Sequence, residues 1–147
     1  IPISFQWVDV AVQSIGTGTN PDSSITFSTY ADRFVGHYFY LMDNITIDKV
    51  IWWVGADEAT GDTVRAHLMS YDIETTSGAT SGDISSGTVC ADGADIVSAG
   101  YEQNYYNQMT ISTADIDAGK AIMFFFRADS TVNSDYTINA TIKYHLR

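Results

Sequence analysis

The sequence predicts an all-β domain, a two-sheet antiparallel sandwich with the jelly roll as the best-matching topology. Three observations predict it. Apolar and polar residues alternate with a period of two in run after run, and clusters of Gly, Ser, Thr and Asp separate the runs. No segment carries a convincing helical period with caps. The runs number about eight at about ten residues each, the spacing of a sandwich.

The first run is ISFQWVDVAVQSI (3–15), in which Gln6, Val8, Val10 and Val12 oppose Phe5, Trp7, Asp9 and Ala11. GTGTNPDSS (16–24) breaks it with two glycines and Pro21. RFVGHYFYLM (33–42) is rich in the aromatics that suit a pleated, half-buried surface. ITIDKVIWWVG (45–55) and DTVRAHLMSYDI (62–73) follow, with ADEATGD (56–62) as the connection between them. From Glu74 to Asn104 small polar residues dominate, and only TVC (88–90) and DIV (95–97) read as short strands. So long a stretch with little structure is expected to be functional or to cover something. YNQMTIS (106–112), GKAIMFFFRAD (119–129) and SDYTINATIKYHLR (134–147) complete the set, with STADIDAG (112–119) as a single turn. The last run is the cleanest: Tyr136, Ile138, Ala140, Ile142, Tyr144 and Leu146 share one side.

Two runs are apolar on both sides. In VIWWV, Val50, Trp52 and Val54 alternate with Ile51 and Trp53. In AIMFFF, Ile122, Phe124 and Phe126 alternate with Ala121, Met123 and Phe125. An antiparallel sandwich strand ordinarily shows one face to water, so something is expected to cover the second face. The candidates are the 74–104 segment or another chain, which makes Ile51, Trp53, Met123 and Phe125 the expected partner interface. A bulge near Asp48 and Lys49 would decide which face of VIWWV turns inward.

Composition bounds the function. The chain has 147 residues, read as one domain, and 45% of them are hydrophobic, enough for a core without disorder. Eighteen acidic residues against seven basic ones give a net charge of -11, a field that repels phosphate backbones and anionic lipid heads. Neither nucleic acid nor a membrane surface is therefore expected as a partner. No apolar run reaches the roughly 18–20 residues of a membrane helix. The single cysteine, Cys90, excludes an intramolecular disulfide and reads as a buried bystander. The start at Ile1 rather than Met marks a processed product or a fragment.

Chemistry is sparse. His37, His67 and His145 lie far apart in sequence, without metal-ligand spacing, and no nucleophile elbow or phosphate loop is present. The acids gather in turns: Asp57, Glu58 and Asp62; Asp92 and Asp95; Asp129 and Asp135. Such groups serve backbone hydrogen bonding or suit calcium, but the EF-hand spacing is absent, and no metal or cofactor is assigned. YEQNYYNQ (101–108) sets Tyr101, Tyr105 and Tyr106 among amides and an acid, the make-up of a sugar site or of a subunit contact. Asn44-Ile45-Thr46 and Asn139-Ala140-Thr141 match the N-glycosylation pattern.

The segments GDTVRAHLMSYDI (61–73), DAGKAIMFFFRADS (117–130) and VNSDYTINATIKYHLR (132–147) resemble the jelly-roll structural proteins of tailed-bacteriophage particles, particularly those of marine hosts. The likeness covers roughly the C-terminal two-thirds and rests on strand patterns and turn residues. It implies a virion component at the particle surface, outside the cell: a capsid decoration protein or a fibre knob. Such a component associates with copies of itself, a trimer being favoured, and with other virion proteins. It carries over no catalytic residue. The expected function is therefore structural and non-enzymatic, with a receptor- or carbohydrate-binding fibre tip as the alternative.

Overall fold

The alternation in the sequence becomes two stacked antiparallel sheets. The computed structural model describes residues 2–7, 38–57, 63–76, 84–97, 103–129 and 135–147, with the backbone alone for 2–7, 38, 56–57, 127–129 and 135. Among these residues there is no helix. The strands are β1 (Pro2–Trp7), β2 (Tyr38–Tyr40), β3 (Ile45–Asp57), β4 (Thr63–Ile73), β5 (Ile84–Asp92), β6 (Ile96–Val97), β7 (Gln103–Gln108), β8 (Thr110–Ile111), β9 (Asp115–Ile116), β10 (Lys120–Asp129) and β11 (Asp135–Leu146). Sheet A runs β1-β11-β3-β7, with β9 also on β3. Sheet B runs β2-β10-β4-β5-β8, with β6 also on β4. The pattern is compatible with a jelly roll.

The inner faces meet in one core. β11 sends in Tyr136, Ile138, Ala140 and Ile142; β3 sends in Val50, Trp52 and Val54; β4 and β10 answer with Val64, Ala66, Leu68, Ile122, Phe124 and Phe126. Aromatic edges join the layers. Phe126 of sheet B lies 6.1 Å from the Trp52 ring and 5.4 Å from the Tyr136 ring, both of sheet A. Trp52 is fully buried, and its indole N–H donates to Asn107 Oδ1 on β7 at 3.3 Å. A core indole needs such a partner, because a buried polar group left unpaired costs about 1–3 kcal/mol.

The bulge foreseen near Asp48 is present. Lys143 of β11 pairs with Lys49, and the next residue, Tyr144, pairs with Ile47, so Asp48 is the extra residue. Inward positions are odd before it (Ile45, Ile47) and even after it (Val50, Trp52, Val54). Without that extra residue a strict alternation would turn one of these two sets into water. His145 Nδ1 lies 2.9 Å from Asp48 Oδ1.

Several sequence expectations need correction. Residues 84–92 form a nine-residue strand inside sheet B, paired with β4, where only TVC was expected. ISSGTVCAD hides it: the strand is irregular against Leu68/Met69 and Ser70/Asp72, and Ser86 takes a left-handed φ of 53°. The 106–112 run is two strands. β7 pairs with β3 in sheet A, Met109 turns inward with its N–H on Val50 O, and β8 joins β5 in sheet B. The expected turn at 112–119 includes β9, paired with Ile45 and Thr46. It then closes through Gly119, whose φ of 88° suits glycine and whose N–H donates to Leu41 O. Tyr144 and Leu146 share the inward side of β11, opposite the buried Ile47 and Ile45, but lie beyond the last β1 pair at Thr141 and stay exposed. The expected strand residues 8–15 and 33–37 lie outside the described residues.

Candidate contact face

The outer face of sheet A follows from the Asp48 bulge. With Val50, Trp52 and Val54 inward, Ile51, Trp53 and Gly55 face out. The register then assigns their neighbours. Trp53 stands between Asn139 of β11 and Tyr106 of β7, Ile51 between Thr141 and Gln108, and Gly55 between Thr137 and Asn104. Trp53 is 37% exposed and Tyr106 63%. Two aromatic side chains, one from each of two expected sites, thus sit side by side on one open surface.

Gly55 and Asn104 fit together on this surface. Gly55 has no side chain, and the Asn104 carboxamide uses that space: a Cβ on Gly55 would lie 2.8 Å from Asn104 Oδ1. The three central rows, at Ile51, Trp53 and Gly55, contain no charged residue. Charge returns only beyond them, with the Lys49–Lys143 pair at one end and the Asp57–Asp135 register positions at the other. In a chain of net charge -11 this neutral stretch is out of keeping with the average surface.

The other expected site residues are placed differently. Met123 and Phe125 are 0% and 6% exposed in the isolated chain, packed with Met69, Tyr71, Ile84 and Val89 on the outer side of sheet B. The Tyr71 and Phe125 rings meet edge-on at 6.1 Å. The expectation that a partner covers them is therefore corrected: the chain buries them itself, and Ile84 and Val89 of the 74–104 segment take part. Tyr105 is corrected too. It pairs with Val54 on the core side of β7, and its hydroxyl donates to Gln103 Oε1 at 3.2 Å. Alternation along the strand therefore separates it from Tyr106. Tyr101 lies outside the described residues.

Titratable groups do gather at one place on sheet B. Asp92 takes a two-point contact from Arg65, Nε to Oδ1 at 3.0 Å and Nη2 to Oδ2 at 2.6 Å, while Arg65 Nη1 reaches Asp95 Oδ1 at 3.1 Å. His67 Nε2 lies 3.3 Å from Asp92 Oδ1. The hydrogen bond to Asp92 raises the Arg65 pKa above its ordinary value. The fork fixes Asp92, and His67 is buried, so the cluster braces β4 against β5. The Asp92 and Asp95 carboxylates, one of the expected acid groups, are thus spent on Arg65. His145 lies on the opposite sheet from His67. His37, Glu58 and Asp62 lie outside the described residues, as do the side chains of Asp57, Asp129 and Asp135. Among the described residues no three His, Cys, Asp or Glu side chains are grouped to hold a metal ion, and no helix is long and apolar enough to cross a membrane.

Of the expected residues, then, Trp53, Ile51 and Tyr106 come together on one face, and Met123, Phe125 and Tyr105 do not join them. Asn139 stood out in the sequence only as part of a glycosylation pattern and Asn104 only as an amide near the tyrosines; the strand register is what puts both beside Trp53 and Tyr106. Comparison with protein-family models, with curated proteins and with solved structures finds no match to this chain.

Proposed function

We propose that this chain is a non-enzymatic structural component of a phage particle, a decoration or surface protein of jelly-roll type that acts by contact. The observation supporting it is the outer face of sheet A: a neutral surface, running from the inner strands β11 and β3 onto the end strand β7, that keeps Trp53 and Tyr106 in water. Regular strands hold side chains in fixed relative positions, which suits recognition and asks for no reacting group. In this reading the partners are copies of the same chain, a trimer being favoured, and other virion proteins, at the particle surface.

A second reading, a receptor- or carbohydrate-binding fibre tip, is favoured by the Trp53–Tyr106 pair itself. Light scattering on the purified chain tests the self-association. The expected result is a mass near three times 16.1 kDa, unchanged on dilution. A clean monomer at all concentrations would remove self-association and leave the binding-module reading.

A further inference from the structure

We propose that the outer face of sheet A binds an uncharged polysaccharide, with Trp53 and Tyr106 as the stacking platform. This rests on the contact-module reading above and names the occupant of that surface. A pyranose ring has an apolar C–H side and a rim of hydroxyl groups that both donate and accept. Trp53 and Tyr106 offer flat apolar area to the first. Asn139, Asn104, Gln108 and Thr137, on the same face, offer side chains that also both donate and accept.

Spacing and size argue the same way. Trp53 and Tyr106 are cross-strand partners, so their backbones are about 4.8 Å apart, close to the length of one pyranose unit. A chain of sugars crossing the strands would therefore place successive rings over successive side chains. The neutral field covers four strands by three rows, about 14 Å by about 14 Å between backbone positions. Even with generous margins that stays under about 400 Å², well short of the roughly 800 Å² per partner of a stable protein interface. A second copy of this chain would therefore need further surface beyond this field, while a single polymer strand fits within it. A nucleic acid could stack on the same rings, but its phosphates would meet a chain of net charge -11, in which Lys49 and Lys143 are the cations that flank the rows among the described residues.

Affinity electrophoresis of the purified chain through gels containing neutral β-glucan, mannan, galactan or α-glucan tests this, with alginate as the anionic comparison. The expected result is retardation by at least one neutral polymer, insensitive to about 0.5 M NaCl, with no response to alginate. Trp53→Ala and Tyr106→Ala should each weaken retention about tenfold while leaving melting temperature and solution mass unchanged. Tyr106→Phe, which keeps the ring, should retain most of the affinity. If Trp53→Ala lowers stability, Tyr106→Ala carries the test alone, because its side chain is the more exposed. No retardation by any neutral polymer overturns the proposal, as does retention of alginate alone. A change of solution mass in Tyr106→Ala would overturn it too, by assigning the face to a second copy. A monomer that still binds neutral polymer would defeat the self-association reading and leave this one standing.

Discussion

Two glycines pose the same geometric problem and should answer it oppositely. A Cβ on Gly93 would stand 2.8 Å from Trp52 Nε1 and 3.0 Å from the Ala66 carbonyl oxygen. Neither neighbour can give way. Ala66 O already accepts the Gly93 N–H at 2.9 Å on a central strand, and the Trp52 indole is locked between Phe126 and Asn107. Gly93→Ala must therefore push the indole, at an overpacking cost of about 1–3 kcal/mol. It also strains the Trp52–Asn107 hydrogen bond, worth about 1 kcal/mol. The lost freedom of the unfolded chain returns about 0.5 kcal/mol. The net loss is about 1.5–3.5 kcal/mol, which for a chain of this length lowers the melting temperature by about 5–11 °C. A Cβ on Gly55 also meets an atom at 2.8 Å, but that atom is Asn104 Oδ1, the end of an exposed side chain that can swing aside. Gly55→Ala should stay within about 0.5 kcal/mol of the parent. Thermal and urea unfolding followed by tryptophan fluorescence measure both. A Gly93→Ala variant melting within about 2 °C of the parent would refute the close approach of Gly93 to Trp52, and a Gly55→Ala variant that fell as far would refute the distinction between rigid and yielding neighbours.

Two further measurements probe the rest of the sandwich. Burial raises the Cys90 thiol above its ordinary pKa, so the folded protein should resist a thiol reagent at neutral pH and react only on unfolding; labelling at the rate of a free thiol would contradict its placement in the core. The hydrogen bond from Lys120, and then one from Ser86, holds the Asp72 carboxyl below its ordinary value of 3.8. A depressed folded pKa stabilises above the unfolded value and is lost as pH falls through the folded one. Asp72→Asn should therefore cost about 0–1 kcal/mol near neutrality, the half-exposed pair being screened, and the difference from the parent should vanish as the pH drops below 3.8. A difference that persisted into strong acid would deny the ion pair its role.

The closing strand and the double-sided character of VIWWV could be read directly, because period-two alternation is what a half-buried strand imposes on sequence. β5 could not. Its pairing with β4 is interrupted twice, and a sequence of Ser, Gly, Thr and Ala carries little apolar signal to show through the irregularity. The two double-sided strands looked alike in sequence and ended differently. Met123 and Phe125 are covered by their own chain, while Ile51 and Trp53 stay on an open face. That difference depends on distant residues such as Ile84 and Val89, which no local pattern points to. The contact face was half legible for the same reason. Trp53 and Tyr106 each stood out as aromatic residues, but their meeting depends on the β3–β7 register across 53 positions of chain.

The position of β11 also sets an order on synthesis. This last strand lies in the middle of sheet A, with β1 on one side and β3 on the other. Until residues 135–146 have left the ribosome, β1 lacks the one neighbour it has in that sheet among the described residues, and β3 lacks its longest partner. Before then the edge of β3 that pairs with β11 stays open. A product ending before residue 135 would leave the β11-facing edges of β1 and β3 unpaired, and such open edges are sites of aggregation.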